Sequence, residues 1–160
     1  MNHLQGQGMQ IKVDTLNHPA VIKLLKEHMD DMTATSPPES VHALSQEALQ
    51  EPGTILWTSW RDNKLLGCAA IKPISNSHAE LKSMRTVAEA RNQGVASALL
   101  LHIIEQLKSD GYQQLSLETG SMSFFKPARE LYKKFGFKYC SPFAHYQPDP
   151  NSNFMTLELG

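Results

Sequence analysis

The sequence lacks an excess of charge of either sign, and it has no long apolar run. Its 160 residues carry 15 Lys and Arg against 16 Asp and Glu, a formal net charge of −1. Without a basic field, we expect no nucleic-acid partner and no anionic membrane partner. Apolar runs such as residues 98–101 are far shorter than the roughly 20 residues that span a bilayer. Residues 1–8 contain no Lys or Arg and no apolar stretch, so no secretory signal is predicted and a cytoplasmic location is expected.

Cysteine is also scarce. Cys68 and Cys140 are the two cysteines of the sequence, too few for a disulfide framework, and both lie in apolar strand-like segments. We therefore expect buried, reduced thiols. The seven histidines show no metal-ligand spacing, so no metal site is predicted.

Apolar patterns of period two and of helical period alternate along the chain. Hydrophobic residues make up 41% and charged residues 19%, a composition typical of globular proteins. At this length one domain over residues 1–160 is expected, with residues 1–8 as a flexible extension. Strands are predicted at residues 9–16, 54–60, 65–71, 78–87, 115–118, 137–140 and 154–159. Helices are predicted at about residues 19–32, 41–49, 95–107 and 128–135.

The predicted order of elements is β-α-α-β-β-β-α-β-α-β-β. A turn at Asp62 and Asn63 joins two of the strands as an antiparallel hairpin. The β-α-β unit over residues 80–118 requires a right-handed crossover and one locally parallel pair. The sequence therefore predicts an α/β (mixed α+β) fold with a mixed, mostly antiparallel central sheet and about four helices on both faces.

The segment between the strand that ends near Val87 and the helix that begins near Val95 has the strongest chemical signal. It is a polar turn, and the small residues Gly94 and Ala96 stand where the helix begins. The first N–H groups of a helix lack partners, and small residues let a ligand approach them. With Arg91 they form a candidate site for a diphosphate. The alternative is a tight turn with an exposed arginine, because neither a Walker lysine nor a three-glycine dinucleotide motif is present.

Two segments together resemble the GNAT superfamily of acetyl-CoA-dependent N-acyltransferases. Residues 91–96, Arg-Asn-Gln-Gly-Val-Ala, match the signature Arg/Gln-x-x-Gly-x-Gly/Ala of that superfamily, and residues 128–137 are similar to its motif Ala-x-x-Leu-Tyr-x-x-x-Gly-Phe. The order of elements agrees over about residues 9–159. Similarity to a bacterial, YsnE-like branch rests on residues 36–44, 116–121 and 149–156. The resemblance implies a GNAT-like fold and an acetyl-CoA-dependent N-acetyltransferase.

The resemblance also implies which residues bind acetyl-CoA, the acyl donor. In the family, the backbone at the end of the fourth strand pairs with the pantetheine arm, and the matching residues here are Met84, Arg85 and Thr86. The diphosphate is expected at Arg91, Asn92, Gln93, Gly94, Val95, Ala96 and Ser97. Phe125 stands where the family often has an asparagine that binds pantetheine, and it is expected to pack against the cofactor.

The implied reaction is direct transfer of acetyl to a primary amine in a ternary complex. It needs a base, because only the neutral amine attacks. Glu80 lies eleven residues before Arg91, where some family members place that base; its alternative roles are a solvated strand-edge carboxylate or a partner of Lys82. Glu118 is a rival base or a contact for a cationic substrate, and a water path is a third route. Tyr132 matches the family tyrosine that protonates the thiolate, and core packing is its alternative role.

The acceptor side has fewer signals. The candidate acceptor contacts are Ser36, Glu39 and His42, after the first predicted helix. The implied acceptor is a small-molecule amine, with a protein lysine or N-terminus as the alternative. Family members often dimerise, so a homodimer is an open possibility. Two other functions also stay open: a non-catalytic CoA-binding or sensor module, and a phosphotransferase that holds a nucleotide at Arg91.

Overall fold

The computed structural model describes residues 9–14, 18–35 and 53–160. The strands are β1 (Gln10–Asp14), β2 (Ile55–Arg61), β3 (Lys64–Pro73), β4 (His78–Thr86), β5 (Gln114–Gly120), β6 (Lys138–Tyr139) and β7 (Ser152–Glu158). The α-helices of the described residues are α1 (Pro19–Thr35), α2 (Val95–Ser109) and α3 (Lys126–Lys134). Short 3₁₀ helices cover Ala88–Ala90 and Ser123–Phe125. The seven strands form one sheet in the order β1-β2-β3-β4-β5-β7-β6.

The described strands pair antiparallel, except that β4 runs parallel to β5 after the crossover through α2. The predicted mixed, mostly antiparallel sheet is therefore confirmed. Asp62 and Asn63 form the turn between β2 and β3, with φ of 51° and 65°, as a tight hairpin of this hand requires. The number of helices differs from the predicted four, because the predicted helix at residues 41–49 lies outside the described residues.

Side chains of β3 alternate between two layers of core. Cys68 and Ala70 pack with residues of α1 such as Leu24 on one face. Ala69 packs with residues of α2 such as Ile103 on the other face. This alternation follows from the period of two along a strand. The central strands are thus covered on both faces, so a polar side chain there is removed from water.

A glycine ends α3, as the sequence indicates. Gly136 has φ of 97°, and the Phe137 N–H donates to the Tyr132 carbonyl at 3.1 Å. This is the hydrogen bond of a left-handed helix C-cap. The cap fixes the last turn of the helix that carries Tyr132, and α2 ends in the same way at Gly111, with φ of 88°.

The two cysteines differ in burial. Both are free thiols. Cys68 is fully buried in β3, and burial raises the pKa of its thiol to about 12, which makes it unreactive. Cys140 lies after β6 and is half-buried, so the expectation that both thiols are buried is wrong for Cys140.

Candidate active site

The parallel pairing of β4 with β5 stops partway along both strands. The last paired residues are Leu81 and Leu117, but β4 continues to Thr86 and β5 to Gly120. The other side of β4 stays paired with β3 as far as Thr86. The backbone groups of residues 82–86 that face β5 therefore lack a strand partner. An extended ligand can join such an edge through main-chain hydrogen bonds.

A β-bulge bends β4 where the two strands separate. Ser83 has φ of 54°, in the left-handed region, and the register with β3 shifts between Cys68 and Ala70. An extra residue in one strand bends that strand. The Cys68 Sγ donates to the Ser83 carbonyl at 3.4 Å and helps to hold this strained residue in place. The bend accounts for the opening between β4 and β5.

An outer cleft of about 350 Å³ lies against the unpaired edge of β4. Its walls come from the end of β4, the turn before α2, helix α1 and the start of α3. The residues of the predicted cofactor site that line it are Met84, Arg85, Thr86, Arg91, Ala96 and Phe125. The structure thus brings the strand end and the helix start together in one cleft.

The turn before α2 presents backbone N–H groups at its surface. Asn92 and Gly94 have φ of 63° and 81°, and backbones with such alternating conformations can form anion-binding concavities. The Ala98 N–H donates to the Gly94 carbonyl at 3.0 Å, so the N–H groups of residues 95–97 precede the hydrogen bonds of the helix itself. The side chain of Val95 is 2% exposed and belongs to the core. Its backbone is therefore the part that can contact a ligand.

The other predicted residues of this turn differ in their surroundings. Arg91 is exposed and Ser97 is half-buried. The Gln93 amide donates to the Glu89 carbonyl at 3.1 Å and accepts from Arg61 at 3.4 Å. Gln93 therefore supports the turn with its side chain.

Phe125 packs directly on the backbone of β5. A Cβ atom at Gly120 would lie 2.1 Å from the Phe125 ring, so this contact requires glycine. Phe125 is 8% exposed and lines the outer cleft. It fills with apolar surface the position at which the family often has an amide.

A narrower inner cavity, of about 90 Å³, continues from the outer cleft. Its polar lining residues include Glu80, Lys82, Glu118, Tyr132 and Tyr146. The residues that line both spaces are His28, Met32, Met84, Phe125, Ala128 and Tyr132. The two spaces therefore adjoin, and at their junction the Tyr132 hydroxyl lies 4.0 Å from the Met84 Sδ.

Glu80 is 3% exposed, so the reading of it as a solvated strand-edge carboxylate is wrong. Its Oε2 accepts a hydrogen bond from the Tyr146 hydroxyl at 2.5 Å and lies 3.3 Å from the Lys82 Nζ. The Lys82 Nζ also donates to the Tyr146 oxygen at 2.6 Å. Glu80 is thus a partner of Lys82 in a closed group of three, and its role as a base stays a prediction.

Glu118 faces the same cavity from β5 but receives neither of those hydrogen bonds. Burial raises the pKa of Glu118 from 4.5 to about 7. The Ser152 hydroxyl and Lys82 lower this pKa, and Glu80 and Asp149 raise it, by smaller amounts. The Ser152 hydroxyl forms no hydrogen bond of good geometry. A carboxyl group with a pKa near 7 can accept and release a proton at neutral pH.

Tyr132 packs in the core and also places its hydroxyl at the junction, and its role as an acid stays a prediction. Its ring packs against Phe137, with centroids 5.6 Å apart, and it is 7% exposed. Burial, and to a smaller extent the charge of Glu118, raises the pKa of Tyr132 far above its ordinary value. The hydroxyl therefore stays protonated at neutral pH and can donate a proton or a hydrogen bond at the junction.

Helix α1 closes the other wall of the junction. Its Asp31 forms an ion pair of 2.6 Å with Arg85 of β4. Burial and the charge of Arg85 lower the pKa of His28 to about 4. His28 is therefore a neutral side chain that lines both spaces.

Some site predictions fall outside the described residues, and some site residues were missed. Ser36, Glu39 and His42 all lie outside the described residues. Tyr146 was missed because it stands in an irregular segment, residues 141–151, with no periodic signal. Lys82 was named from the sequence as an alternative partner of Glu80, and the ion pair of 3.3 Å confirms that contact.

Within residues 9–14, 18–35 and 53–160, none of the helices has the length and apolarity needed to cross a bilayer. The same residues contain no group of three His, Cys, Asp or Glu side chains that could hold a metal ion.

An unpaired strand edge thus leads from helix N–H groups to a buried tyrosine and two carboxylates, an arrangement that suits an extended, phosphate-bearing ligand. The comparisons agree. The sequence profile of the acetyltransferase (GNAT) family matches residues 21–137. The chain belongs to this family and is an acetyl-CoA-dependent N-acetyltransferase.

Three relatives cover most of the chain. The uncharacterized N-acetyltransferase YsnE of Bacillus subtilis (strain 168) is 52% identical over 151 residues, which are 94% of this chain and 100% of that protein. The uncharacterized N-acetyltransferase YedL of Escherichia coli (strain K12) is 44% identical over 93% of this chain and 94% of its own. The IAA acetyltransferase of Azospirillum brasilense is 33% identical over 88% of this chain and 91% of its own. The predicted superfamily and its YsnE-like branch are confirmed.

Solved structures show the same fold. An acetyltransferase from Streptococcus agalactiae has a TM-score of 0.71 at 20% identity, over 96% of this chain and 99% of that one. A GNAT family acetyltransferase from Elizabethkingia anophelis, solved with acetyl-CoA bound, has a TM-score of 0.70 at 22% identity, over 95% of this chain and 99% of that one.

Proposed function

We propose that the protein moves the acetyl group of acetyl-CoA directly to a primary amine of a small molecule within a ternary complex. The observation that carries this proposal is the junction of the outer cleft and the inner cavity at Tyr132. Two adjoining spaces can hold donor and acceptor at the same time. Direct transfer needs that arrangement, because holding two reactants in contact removes much of the entropic barrier.

On this proposal the outer cleft binds the acyl donor. The unpaired edge of β4, at Met84, Arg85 and Thr86, offers main-chain hydrogen bonds to the pantetheine arm, and Phe125 packs against it. The turn over residues 91–97 offers backbone N–H groups and the Arg91 charge to the diphosphate. The bound thioester would supply the acyl group at the junction.

The inner cavity would receive the amine. Its two carboxylates, Glu80 and Glu118, are the candidates for the group that takes the proton of the attacking nitrogen. Tyr132 would protonate the departing thiolate, since its hydroxyl is at the junction and stays protonated at neutral pH. The cavity volume of about 90 Å³ favours a slender amine group. The formal net charge of −1 gives no preference for a charged macromolecule.

Binding and turnover test the two halves of this proposal separately. Acetyl-CoA is titrated into the protein by calorimetry, and release of the CoA thiol is then measured against a panel of small amines, peptides and free N-termini. We expect measurable binding and turnover with a small amine. Absence of binding would reject the donor cleft, and turnover with peptides alone would reject the small-molecule acceptor. Binding without turnover on any amine would favour a sensor module.

The variant Tyr132→Phe tests the acid. We expect kcat to fall by about 100-fold, the lower end of the usual range for a general acid, while the affinity for CoA changes less than about twofold. Tyr139→Phe is the matched control, because Tyr139 is 52% exposed and lines neither the outer cleft nor the inner cavity. Unchanged turnover in Tyr132→Phe would reject the proton-donating role.

A further inference from the structure

Two carboxylates share the inner cavity, and the donors of the cavity are directed to one of them. Lys82 and Tyr146 both contact the Oε2 of Glu80. We propose that Lys82 and Tyr146 are positioning residues that engage the Oε2 of Glu80 in hydrogen bonds and so leave Glu118 as the proton acceptor for the amine. This inference rests on the proposed function and assigns separate tasks to the two acids.

The contacts of Lys82 support the first part. The side chain of Lys82 is 7% exposed and that of Glu80 is 4% exposed, so neither charge is well hydrated. A buried charge is tolerated when it is paired and hydrogen bonded. The Lys82 Nζ lies 3.3 Å from the Glu80 Oε2 and 2.6 Å from the Tyr146 oxygen. Glu80 is thus the counter-ion of this ammonium group, and its Oε2 is occupied by two donors.

Tyr146 is fixed in place by its own packing. Its ring centroid lies 5.2 Å from that of Phe143 and 5.5 Å from that of Phe154, and its N–H donates to the Phe143 carbonyl at 3.0 Å. The Lys82 Nζ lies 5.3 Å from the centroid of the Tyr146 ring. The segment between β6 and β7 therefore holds the Tyr146 hydroxyl on Glu80, with little freedom to turn away.

The surroundings of Glu118 differ from those of Glu80. The groups around the carboxyl group of Glu118 are Glu80 and Lys82 of β4, Asp149 and Tyr146 of the segment before β7, Ser152 of β7, Tyr132 of α3 and the neutral His28 of α1. The charge of Lys82 is largely balanced by Glu80, its nearer partner. Burial therefore dominates at Glu118 and raises its pKa to about 7, so this group can take up and release a proton at neutral pH.

The proton and electron balance is complete without a further reactant. The amine nitrogen forms a bond to the acetyl carbon, the bond from that carbon to sulfur breaks, and the sulfur leaves as a thiolate. One proton passes from the nitrogen to Glu118. The thiolate takes a proton from Tyr132, and the proton on Glu118 then restores the tyrosine, directly or through water, before the next turnover.

The pH dependence of kcat/KM tests this division of tasks, because the two charges act on Glu118 with opposite sign. In Glu80→Gln, a neighbouring negative charge is lost, and we expect the acidic limb to move to lower pH by about one unit, a tenfold change at acidic pH. In Lys82→Met, a positive charge is lost, and we expect the limb to move to higher pH by about the same amount. In Tyr146→Phe, an uncharged donor to Glu80 is lost, and we expect the acidic limb to move to higher pH by a smaller amount than in Lys82→Met.

The controls separate charge from folding. Lys82→Gln is made beside Lys82→Met in case the apolar side chain impairs folding, and acetyl-CoA affinity is measured for each variant. Lys108→Met removes one positive charge at an exposed position near the end of α2 and should leave the profile in place. Shifts of equal sign in Glu80→Gln and Lys82→Met would overturn the proposal. A loss of turnover in Glu80→Gln as large as that in Glu118→Gln would also overturn it.

A measurement without turnover distinguishes this inference from the proposed function. The side-chain carboxyl carbon of Glu118 is followed by NMR as a function of pH, with its signal assigned by its absence in Glu118→Gln. We expect a midpoint near 7 that falls in Glu80→Gln and rises in Lys82→Met. If the midpoint moves as expected but no amine reacts, the proposed function fails and the positioning role stands. If amines react and the midpoint does not move, the positioning role is wrong.

Discussion

Replacement of Glu118 by glutamine should stabilise the protein, and the gain should increase with pH. Burial raises the pKa of Glu118 from 4.5 to about 7, so the folded chain binds this proton more tightly than the unfolded chain. Between these two values the folded state holds more protons than the unfolded state, and the free energy of unfolding therefore falls as pH rises. Glutamine does not ionise, so Glu118→Gln escapes this loss.

The size of the effect follows from the two pKa values. One pKa unit corresponds to about 1.36 kcal/mol, so the rise from 4.5 to 7 at Glu118 corresponds to about 3 kcal/mol. The difference between variant and wild type should be close to zero near pH 4.5 and should reach its full value above pH 7. For a chain of this length, that is an increase of about 6 to 12 °C in Tm.

Urea unfolding of both proteins at several pH values between 4.5 and 8, without acetyl-CoA, measures this difference directly. Because other groups titrate equally in both proteins, the difference between the two curves isolates Glu118. Glu105→Gln, which changes an exposed glutamate of α2, serves as the matched control and should give a small difference at every pH. A difference for Glu118→Gln that is independent of pH, or a loss of stability at pH 8, would refute the reasoning.

Two further substitutions probe the donor cleft. Gly120→Ala should destabilise the protein by about 1–3 kcal/mol and weaken acetyl-CoA binding, because the new Cβ would lie 2.1 Å from the Phe125 ring; urea unfolding and calorimetry check both effects. Gly160→Ala, with no atom within 4 Å of its Cβ, is the control, and an equal loss there would contradict this cause. Arg91→Ala should weaken CoA binding by about two- to fivefold at low salt and less at high salt, as measured by calorimetry. A loss of the same size in Lys108→Ala would show a general charge effect instead.

The strands of the sheet could be predicted because each strand depends on the residues of one short segment. The strand at residues 78–87 was predicted after the turn signal at Asn76 and Ser77 and is found at His78–Thr86. The parallel pair followed from the right-handed crossover rule. The separation of β4 from β5 was not predictable, because it depends on Ser83 in a left-handed conformation. Serine at that position has none of the preference for positive φ that glycine or asparagine shows.

The donor cleft was easier to predict from the sequence than the inner cavity, because the residues of the cleft lie closer together along the chain. The residues of the donor cleft lie close together in the sequence, at residues 84–86 and 91–97, so one strand end and one helix start suffice to group them. The contact between Lys82 and Tyr146 joins residues that are 64 positions apart. No local pattern in the irregular segment of Tyr146 indicates which strand it contacts, and tertiary packing alone brings its hydroxyl to Glu80.

The position of a carboxyl group in a family motif does not by itself determine whether that group acts as the base. A resemblance compares positions along the chain, and by position Glu80 is the expected base. The affinity of a carboxyl group for a proton depends instead on the donors, charges and water around it. Two donors contact Glu80 in the structure, whereas burial dominates at Glu118. If the pH profiles shift as proposed, the base is the acid that Lys82 and Tyr146 do not contact. A substitution in the segment of Tyr146 would then alter the proton affinity of Glu118 without a change in any residue of the family motifs.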